Sequence, residues 1–163
     1  MLMKDLLKTM PQIGRIEWIG IRSQRRAPLT EVQEAVIDIN HGLQGDHYSG
    51  RSSKRQITLI QSEYLDVVGA ILKTERIDPK LTRRNFVVSG INLNALKGQQ
   101  FKIGSEVILE MTGLCHPCSR MEENLGPGGY NAMRGHGGIT AKVIAEGTIR
   151  IGDEIKMLKQ KKN

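Results

Sequence analysis

The residues most suited to chemistry lie in the segment Cys115-His116-Pro117-Cys118-Ser119-Arg120. A thiol reacts as its thiolate, and nearby cations such as His116 and Arg120 favour that form. Pro117 fixes one backbone angle and stiffens the loop that carries the sulfur atoms. Cysteines can also be small buried hydrophobes. Because this pair lies in a polar loop with proline, histidine and arginine, we interpret the segment as functional.

The Cys-x-x-Cys spacing allows three kinds of chemistry. Structural zinc needs about four ligands; His47 or His136 could complete a site, but there is no second Cys-x-x-Cys. A thioredoxin-like redox couple needs a βαβ setting, which the strand-rich pattern does not favour. The remaining interpretation makes one cysteine a soft metal ligand or a sulfur carrier, with the other as support.

Two further segments offer polar and cationic groups. Residues 42–51 combine closely spaced glycines with Asp46 and His47, and backbone N–H groups in such turns can bind anions. Arg51, Lys54 and Arg55 add positive charge there, although an ordinary turn with a solvated basic rim fits equally well. Arg83-Arg84-Asn85 supplies forked donors for oxygen ligands and an amide, unless it is only a basic surface pair.

Glycine also dominates residues 126–130 and 134–138, after the cysteines. Loops of this composition either wrap a ligand or form plain linkers. The sequence therefore predicts one long loop over these residues.

Alternating apolar residues predict the strands that must position these groups. Examples are Ile57 with Leu59, and Val107 with Leu109 and Met111. Residues 32–40 fit a helix or a strand. Ser62 is predicted to cap a helix, and Asp78-Pro79 to open a short helical turn. Residues 102–107 resemble residues 150–155, and in both a glycine-polar pair predicts a tight corner before a strand.

The 163 residues, 39% of them hydrophobic, predict a single globular domain. The net charge of +7 and the pI near 9.6 favour an anionic partner, although 4% aromatic residues supply few platforms for nucleic-acid bases. Neither a signal peptide nor an apolar membrane span is found. We therefore expect a cytoplasmic protein with no membrane partner, in which the two cysteines stay reduced.

In their order and spacing, these segments resemble the MOSC domain, named for the C-terminal region of molybdenum-cofactor sulfurases. The matching motifs are Gly42-Leu43-Gln44-Gly45-Asp46-His47, Arg55-Gln56-Ile57-Thr58, Arg84-Asn85-Phe86-Val87-Val88-Ser89-Gly90-Ile91-Asn92-Leu93, Leu96-Lys97-Gly98-Gln99, Pro117-Cys118, Gly137-Gly138 and Gly147-Thr148-Ile149-Arg150-Ile151-Gly152-Asp153. The resemblance implies a mostly β fold, a distorted closed β-barrel with a few short helices, and it favours a strand at residues 32–40. It implies one domain over residues 1–163, with its core at about 13–158 and terminal extensions at 1–12 and 159–163.

The resemblance also implies a molybdenum cofactor, with Cys118 as the catalytic residue and molybdenum ligand. The residues then expected to bind the cofactor are Asp46, His47, Arg51, Lys54, Arg55, Arg83, Arg84, Asn85 and Arg120. Those expected to support the site are Cys115, Pro117, Gly137 and Gly138. Family members reduce N-hydroxylated compounds or are proposed to carry sulfur, so the expected partners are a small-molecule substrate and either an electron-transfer reductase or a cysteine desulfurase.

Two alternatives stay open beside the reductase. Cys118 could carry persulfide sulfur from a desulfurase, in which case pyridoxal phosphate would enter only through that partner protein. The positive charge would also suit a non-enzymatic nucleic-acid-binding barrel, which scarce aromatic residues make the less favoured function.

Overall fold

The computed structural model describes residues 1–47 and 54–159. Strands make up most of its regular structure. Within the described residues they are β1 (Gly14–Ile21), β2 (Thr30–Glu31), β3 (Glu34–Asp38), β4 (Gly42–Leu43), β5 (Ile57–Gln61), β6 (Phe86–Ser89), β7 (Gln100–Ile103), β8 (Val107–Leu114), β9 (Ile139–Ala145), β10 (Gly147–Arg150) and β11 (Glu154–Met157).

The helices are short and lie between strands or at the N-terminal end. They are α1 (Met3–Leu7), α2 (Ser62–Ile71), α3 (Arg120–Leu125) and α4 (Gly129–Met133), with 3₁₀ turns at Pro79–Leu81 and Leu93–Leu96. In residues 1–47 and 54–159, no helix combines the length and the apolar character that crossing a bilayer requires.

Strand pairing closes the main sheet into a barrel. Its order is β11-β7-β8-β9-β5-β6-β1, and β11 pairs back onto β1, so that seven strands of the described chain form a ring. The β5–β6 pair is parallel, and β2 extends the sheet from β1. A smaller sheet in the order β10-β3-β4 lies beside the barrel. The predicted mostly β, distorted closed barrel is confirmed.

The barrel is filled by the inward residues of the alternating strands. Val107, Leu109 and Met111 are buried in β8, and Phe86 and Phe101 are among the largest fully buried side chains. Burial of each such side chain contributes on the order of 1.5–3 kcal/mol, so the barrel wall is a stable frame for the loops at its ends.

Helices α2, α3 and α4 share a second apolar cluster outside the barrel. Met121 of α3 and Met133 of α4 are fully buried there, against Leu65 of α2 and Trp18 of β1. The prediction of one long glycine-rich loop after the cysteines is therefore wrong over residues 126–130. Gly126 and Gly128, both with positive φ, turn the chain between two helices that the buried methionines hold in place.

The ambiguous segment at residues 32–40 contains a strand, as the resemblance favoured. Ala35 and Ile37 of β3 are buried and Val36 is exposed, and β3 pairs with β10 and β4. A helix does begin at Ser62, but the predicted cap is wrong, because Gln61 holds the N-cap position and makes no side-chain cap bond. The Ser62 hydroxyl instead accepts a hydrogen bond from Arg76.

Two other local predictions are confirmed. Pro79 opens a 3₁₀ turn, and the Asp78 carboxylate accepts a hydrogen bond from the Lys80 N–H. The two similar segments form corners at Gly104 and Gly152, both with positive φ.

Candidate functional site

A cleft of about 440 Å³ lies where the loop after β8 faces the segments that enter β5 and β6. Its walls contain four arginines and one carboxylate, so among the described residues it is strongly cationic. The lining residues are Arg22, Leu29, Asp46, Arg55, Gln56, Thr58, Arg83, Arg84, Asn85, Cys115, His116 and Cys118.

The thiol loop begins directly after β8 and ends in α3. The N–H of Cys115 donates to the carbonyl of Gly138 at 2.8 Å, and Cys115 is only 5% exposed. The carbonyl of Cys118 accepts from the N–H of Met121 at 2.9 Å, which fastens the loop to the first turn of α3. Both thiols are free, and Cys118 is the exposed one. The loop thus presents one accessible sulfur atom at the cleft wall.

Arg84 holds the thiol loop in place through hydrogen bonds to its backbone. Its buried guanidinium donates to the carbonyls of Gly137 (Nε, 2.7 Å), Thr82 (Nη1, 3.2 Å), Cys115 (Nη2, 3.4 Å) and His116 (Nη2, 3.2 Å). These bonds account for four of its five N–H groups. Arg84 therefore joins the thiol loop to the loop before β9, and most of its hydrogen-bonding capacity is used by the protein itself.

The preceding residue, Arg83, has φ of +62°. A left-handed backbone at a residue other than glycine is uncommon and costs on the order of 1–2 kcal/mol. This turn lets two consecutive arginines line the same cleft, although Arg84 is buried and Arg83 is only partly so.

Gly137 allows the loop before β9 to touch the thiol loop, and Gly138 allows it to touch β5. A Cβ atom on Gly137 would lie 2.1 Å from the carbonyl oxygen of Cys115, and one on Gly138 would lie 2.0 Å from that of Leu59. Gly138 also has φ of +89°. The thiol loop can occupy its position because Gly137 lacks a side chain, and the loop before β9 can lie against β5 because Gly138 lacks one.

Asn85 connects three elements beneath the cleft. Its amide nitrogen donates to the carbonyl of Gly20 at 3.0 Å and to Asp46 at 3.2 Å, and its amide oxygen accepts from Thr58 at 3.1 Å. Asp46 also accepts from the backbone N–H of Arg22 at 3.0 Å. The glycine-rich loop is thereby attached to β1, β5 and β6.

The structure brings most of the predicted site residues together. The predicted residues that line the cleft are Asp46, Arg55, Arg83, Arg84, Asn85, Cys115 and Cys118. Gly137 packs against its thiol loop, Gly138 accepts a hydrogen bond from that loop, and Pro117 faces a neighbouring groove. Arg51 lies outside the described residues.

Three predicted cofactor-binding residues lie outside the lining of this cleft. The His47 N–H donates to the Arg22 carbonyl at 2.7 Å, and the Lys54 carbonyl accepts from Thr112. Arg120 lies 3.8 Å from Glu123 in α3. A cofactor-binding role for these residues stays a prediction.

Sequence reasoning missed some of the lining residues, chiefly Arg22, Leu29, Gln56 and Thr58. Arg22 directly follows the apolar strand β1 and is buried, which is unusual for arginine. A cation at the end of a buried strand was a usable signal, but the basic residues that follow it obscured that signal. No group of three or more histidine, cysteine or acidic side chains that could hold a metal ion occurs in the described part of the chain.

Comparison with known proteins identifies the family to which the chain belongs. A family model described as the MOSC domain matches residues 41–156, well over half of the chain. The chain belongs to the MOSC domain family. This confirms the resemblance inferred from the motifs, and the family is associated with functions related to the molybdenum cofactor.

Solved structures of MOSC-family proteins share the fold. The crystal structure of YuaD from Bacillus subtilis matches with a TM-score of 0.79 at 21% identity, covering 90% of this chain and 97% of that one. YiiM from Geobacillus stearothermophilus matches with a TM-score of 0.71 at 15% identity, covering 90% and 75%. YiiM from Escherichia coli gives 0.67 at 15% identity, covering 91% and 72%. A search of curated proteins found no match.

Proposed function

We propose that this MOSC protein binds the molybdenum cofactor in the cleft and reduces N-hydroxylated compounds, with the Cys118 thiolate as the metal ligand. One observation carries the proposal: an exposed free thiol lies on the wall of a cleft that also contains four arginines. A soft thiolate suits a soft or high-valent metal centre, and arginines suit the phosphate of a pterin cofactor.

The residues present fit such a group in size and charge. A volume of about 440 Å³ lies within the range of roughly 300–1,000 Å³ that is typical of sites for one small ligand. Arg22, Arg55 and Arg83 would hold the phosphate and the polar edges of the pterin through charge-assisted hydrogen bonds. Asp46 would accept a hydrogen bond from a ring N–H.

Other residues would position the binding groups. Arg84 would keep the carbonyls of Cys115 and His116 in place, and so keep Cys118 at the cleft wall. Asn85 would hold the Asp46 loop through the amide bond that it already donates. Their contribution to cofactor binding would then come through the loops that they fasten.

When bound, the cofactor supplies the two-electron chemistry that breaks the N–O bond. Reduction of an N-hydroxyl compound to the amine and water consumes two electrons and two protons. The electrons would come from a separate electron-transfer reductase. The exposed imidazole of His116, which lines the same cleft as Cys118, would donate a proton to the departing oxygen.

The test compares the two cysteines. Cys118→Ser and Cys115→Ser are produced in cells that make the cofactor, and molybdenum and pterin are quantified together with reductase activity on a hydroxylamine driven by a chemical reductant. We expect Cys118→Ser to lose activity and most of its molybdenum, and Cys115→Ser to keep both. Full cofactor content and activity in Cys118→Ser would refute the proposal.

A second candidate function is sulfur transfer. The exposure of Cys118, next to a buried Cys115, suits a thiol that accepts persulfide sulfur from a partner desulfurase. Mass spectrometry after incubation with a pyridoxal-phosphate desulfurase and cysteine tests it. One added sulfur atom on the wild type, lost on reduction and absent from Cys118→Ser, supports transfer, and an unmodified wild type contradicts it.

A further inference from the structure

A second groove, of about 720 Å³, lies on the other side of the thiol loop. His116 lines both cavities, whereas Cys118 lines only the first and Pro117 only the second. Helix α4 and the residues after it supply the other wall, with Tyr130, Asn131, Arg134 and Gly135. The thiol loop is therefore the partition between the two.

The polar side chains of the α4 wall converge on the groove. Tyr130 and Asn131 lie in α4, Arg134 directly follows its last residue, and all three line the groove. The buried side chain of Met133 anchors that helix in the outer apolar cluster. The groove is thus a surface presented by an anchored element.

These side chains differ from their neighbours in what they contact. Within residues 1–47 and 54–159, the side chains of Tyr130, Asn131 and Arg134 make no hydrogen bond or ion pair, and the lining contains no acidic residue. On nearby α3, by contrast, Asn124 donates to the carbonyl of Leu81 and Arg120 pairs with Glu123. A ring, an amide and a guanidinium are therefore available together to a ligand.

The limited volume of the first cleft indicates a role for the second groove. At about 440 Å³ the first cleft is near the lower end of the range for a single small ligand. If the cofactor occupies it, a second reactant must approach from a neighbouring surface. The second groove adjoins the cleft through His116 and meets that need.

We propose that the second groove is the substrate subsite, and that it takes a flat aromatic ring bearing one anionic substituent. The Tyr130 ring, whose residue is 40% exposed, would stack on the ligand ring. Arg134 would pair with the carboxylate or phosphate, and Asn131 would hydrogen-bond a heteroatom at the ring edge. The role as a substrate site rests on the proposed reductase function, whereas binding of the ligand does not.

The experiment follows three probes by nuclear magnetic resonance on the full chain without cofactor. Nicotinate and nicotinamide share a ring and differ in charge, and acetate has the charge without the ring. We expect nicotinate to bind tightest and to shift the backbone amides of residues 116 and 130–135. Arg134→Gln should weaken nicotinate about tenfold, as for the loss of one hydrogen bond to a charged group, and leave nicotinamide unchanged. Tyr130→Leu should weaken both ring compounds by at least threefold.

Lys156→Gln is the matched control, because it removes the same charge from β11, a strand that lines neither cavity. It should bind nicotinate like the wild type. Equal nicotinate affinity in Arg134→Gln, no preference over nicotinamide, or shifts confined to the first cleft would overturn the subsite. Cys118→Ser separates the two proposals, because it should lose molybdenum but still bind nicotinate. If the wild type binds nicotinate in the groove but never takes up molybdenum, only the reductase proposal is refuted.

Discussion

Replacing Arg84 with methionine keeps most of the length of the side chain and removes every donor. The carbonyls of Gly137, Thr82 and His116 then lose bonds of 2.7 to 3.2 Å, and the 3.4 Å contact with Cys115 adds little. Each buried acceptor left without a partner costs about 1–3 kcal/mol. Removal of a buried charge offsets part of this loss. We therefore expect a loss of roughly 3 kcal/mol, out of a typical total of roughly 5–15 kcal/mol.

Two measurements test this expectation. Urea denaturation gives the change in the free energy of unfolding, with Arg150→Met as the control. Arg150 forms an exposed ion pair with Glu34 at 3.1 Å, which should contribute less than about 1 kcal/mol. Reaction with a thiol reagent under native conditions reports on the loop: Cys118, already exposed, should react fast in every variant, and the buried Cys115 should react faster in Arg84→Met.

The reasoning fails if the free energies of unfolding of Arg84→Met and the Arg150→Met control differ by less than about 0.5 kcal/mol. Loss of a residue that only binds a ligand would change the stability of the ligand-free protein by no more than that. If Arg84→Met does not fold, Arg84→Lys provides the comparison. Lysine keeps the charge but lacks the planar fork, so it should restore only part of the stability and part of the protection of Cys115.

Three further predictions concern the frame around the site. Gly138→Ala places a Cβ atom 2.0 Å from a carbonyl oxygen of β5 and should lower the free energy of unfolding, measured in urea, by clearly more than Gly135→Ala, which shares the positive φ but has nothing within 4 Å. Asn85→Asp places a second carboxylate next to Asp46 and should lower the free energy of unfolding by about 3 kcal/mol at neutral pH. Part of this stability should return in acid, when one carboxyl takes up a proton, and urea denaturation at two pH values checks this. A hydrogen bond from the backbone N–H of His41 holds the pKa of Asp38 below its usual range. The charged Asp38 carboxylate therefore stabilises the folded protein at neutral pH, and this stabilisation is lost as the pH falls through the lowered pKa. Asp38→Asn should accordingly lower Tm at neutral pH, and the difference from the wild type should vanish in strong acid.

Individual strands could be predicted where apolar and polar residues alternate, whereas closure of the sheet into a barrel was an expectation from the family resemblance. Ile57 and Leu59 alternate with a polar residue, and both are fully buried in β5. Residues 32–40 could not be assigned by period alone. There the pairing with other strands decides, since Ala35 pairs with the distant Ile149 of β10 and Ile37 with Leu43 of the neighbouring β4.

The glycine-rich stretch shows where composition misleads. Glycine and proline are unfavourable in helix interiors, so residues 126–130 suggest a loop. In the structure Gly126 and Gly128 form the turn, Gly129 begins α4, and buried Met121 and Met133 stabilise the helices on either side. Tertiary packing of this kind cannot be derived from the local sequence, and it also creates the α4 face that lines the second groove.

Arg83 and Arg84 are adjacent and chemically identical, and the sequence assigns both to the cofactor. The structure separates them, because β6 begins just after them and directs Arg84 behind the thiol loop, where carbonyl groups take up four of its N–H donors. Arg83, in its left-handed turn, is only partly buried and lines the cleft. A motif therefore identifies residues that the site needs, but only the distribution of their donors shows which bind a ligand and which hold the binding loop. If Arg84 serves the loop, its conservative replacement should change stability and the protection of Cys115 even in protein that contains no cofactor, because its four carbonyl partners belong to the protein itself.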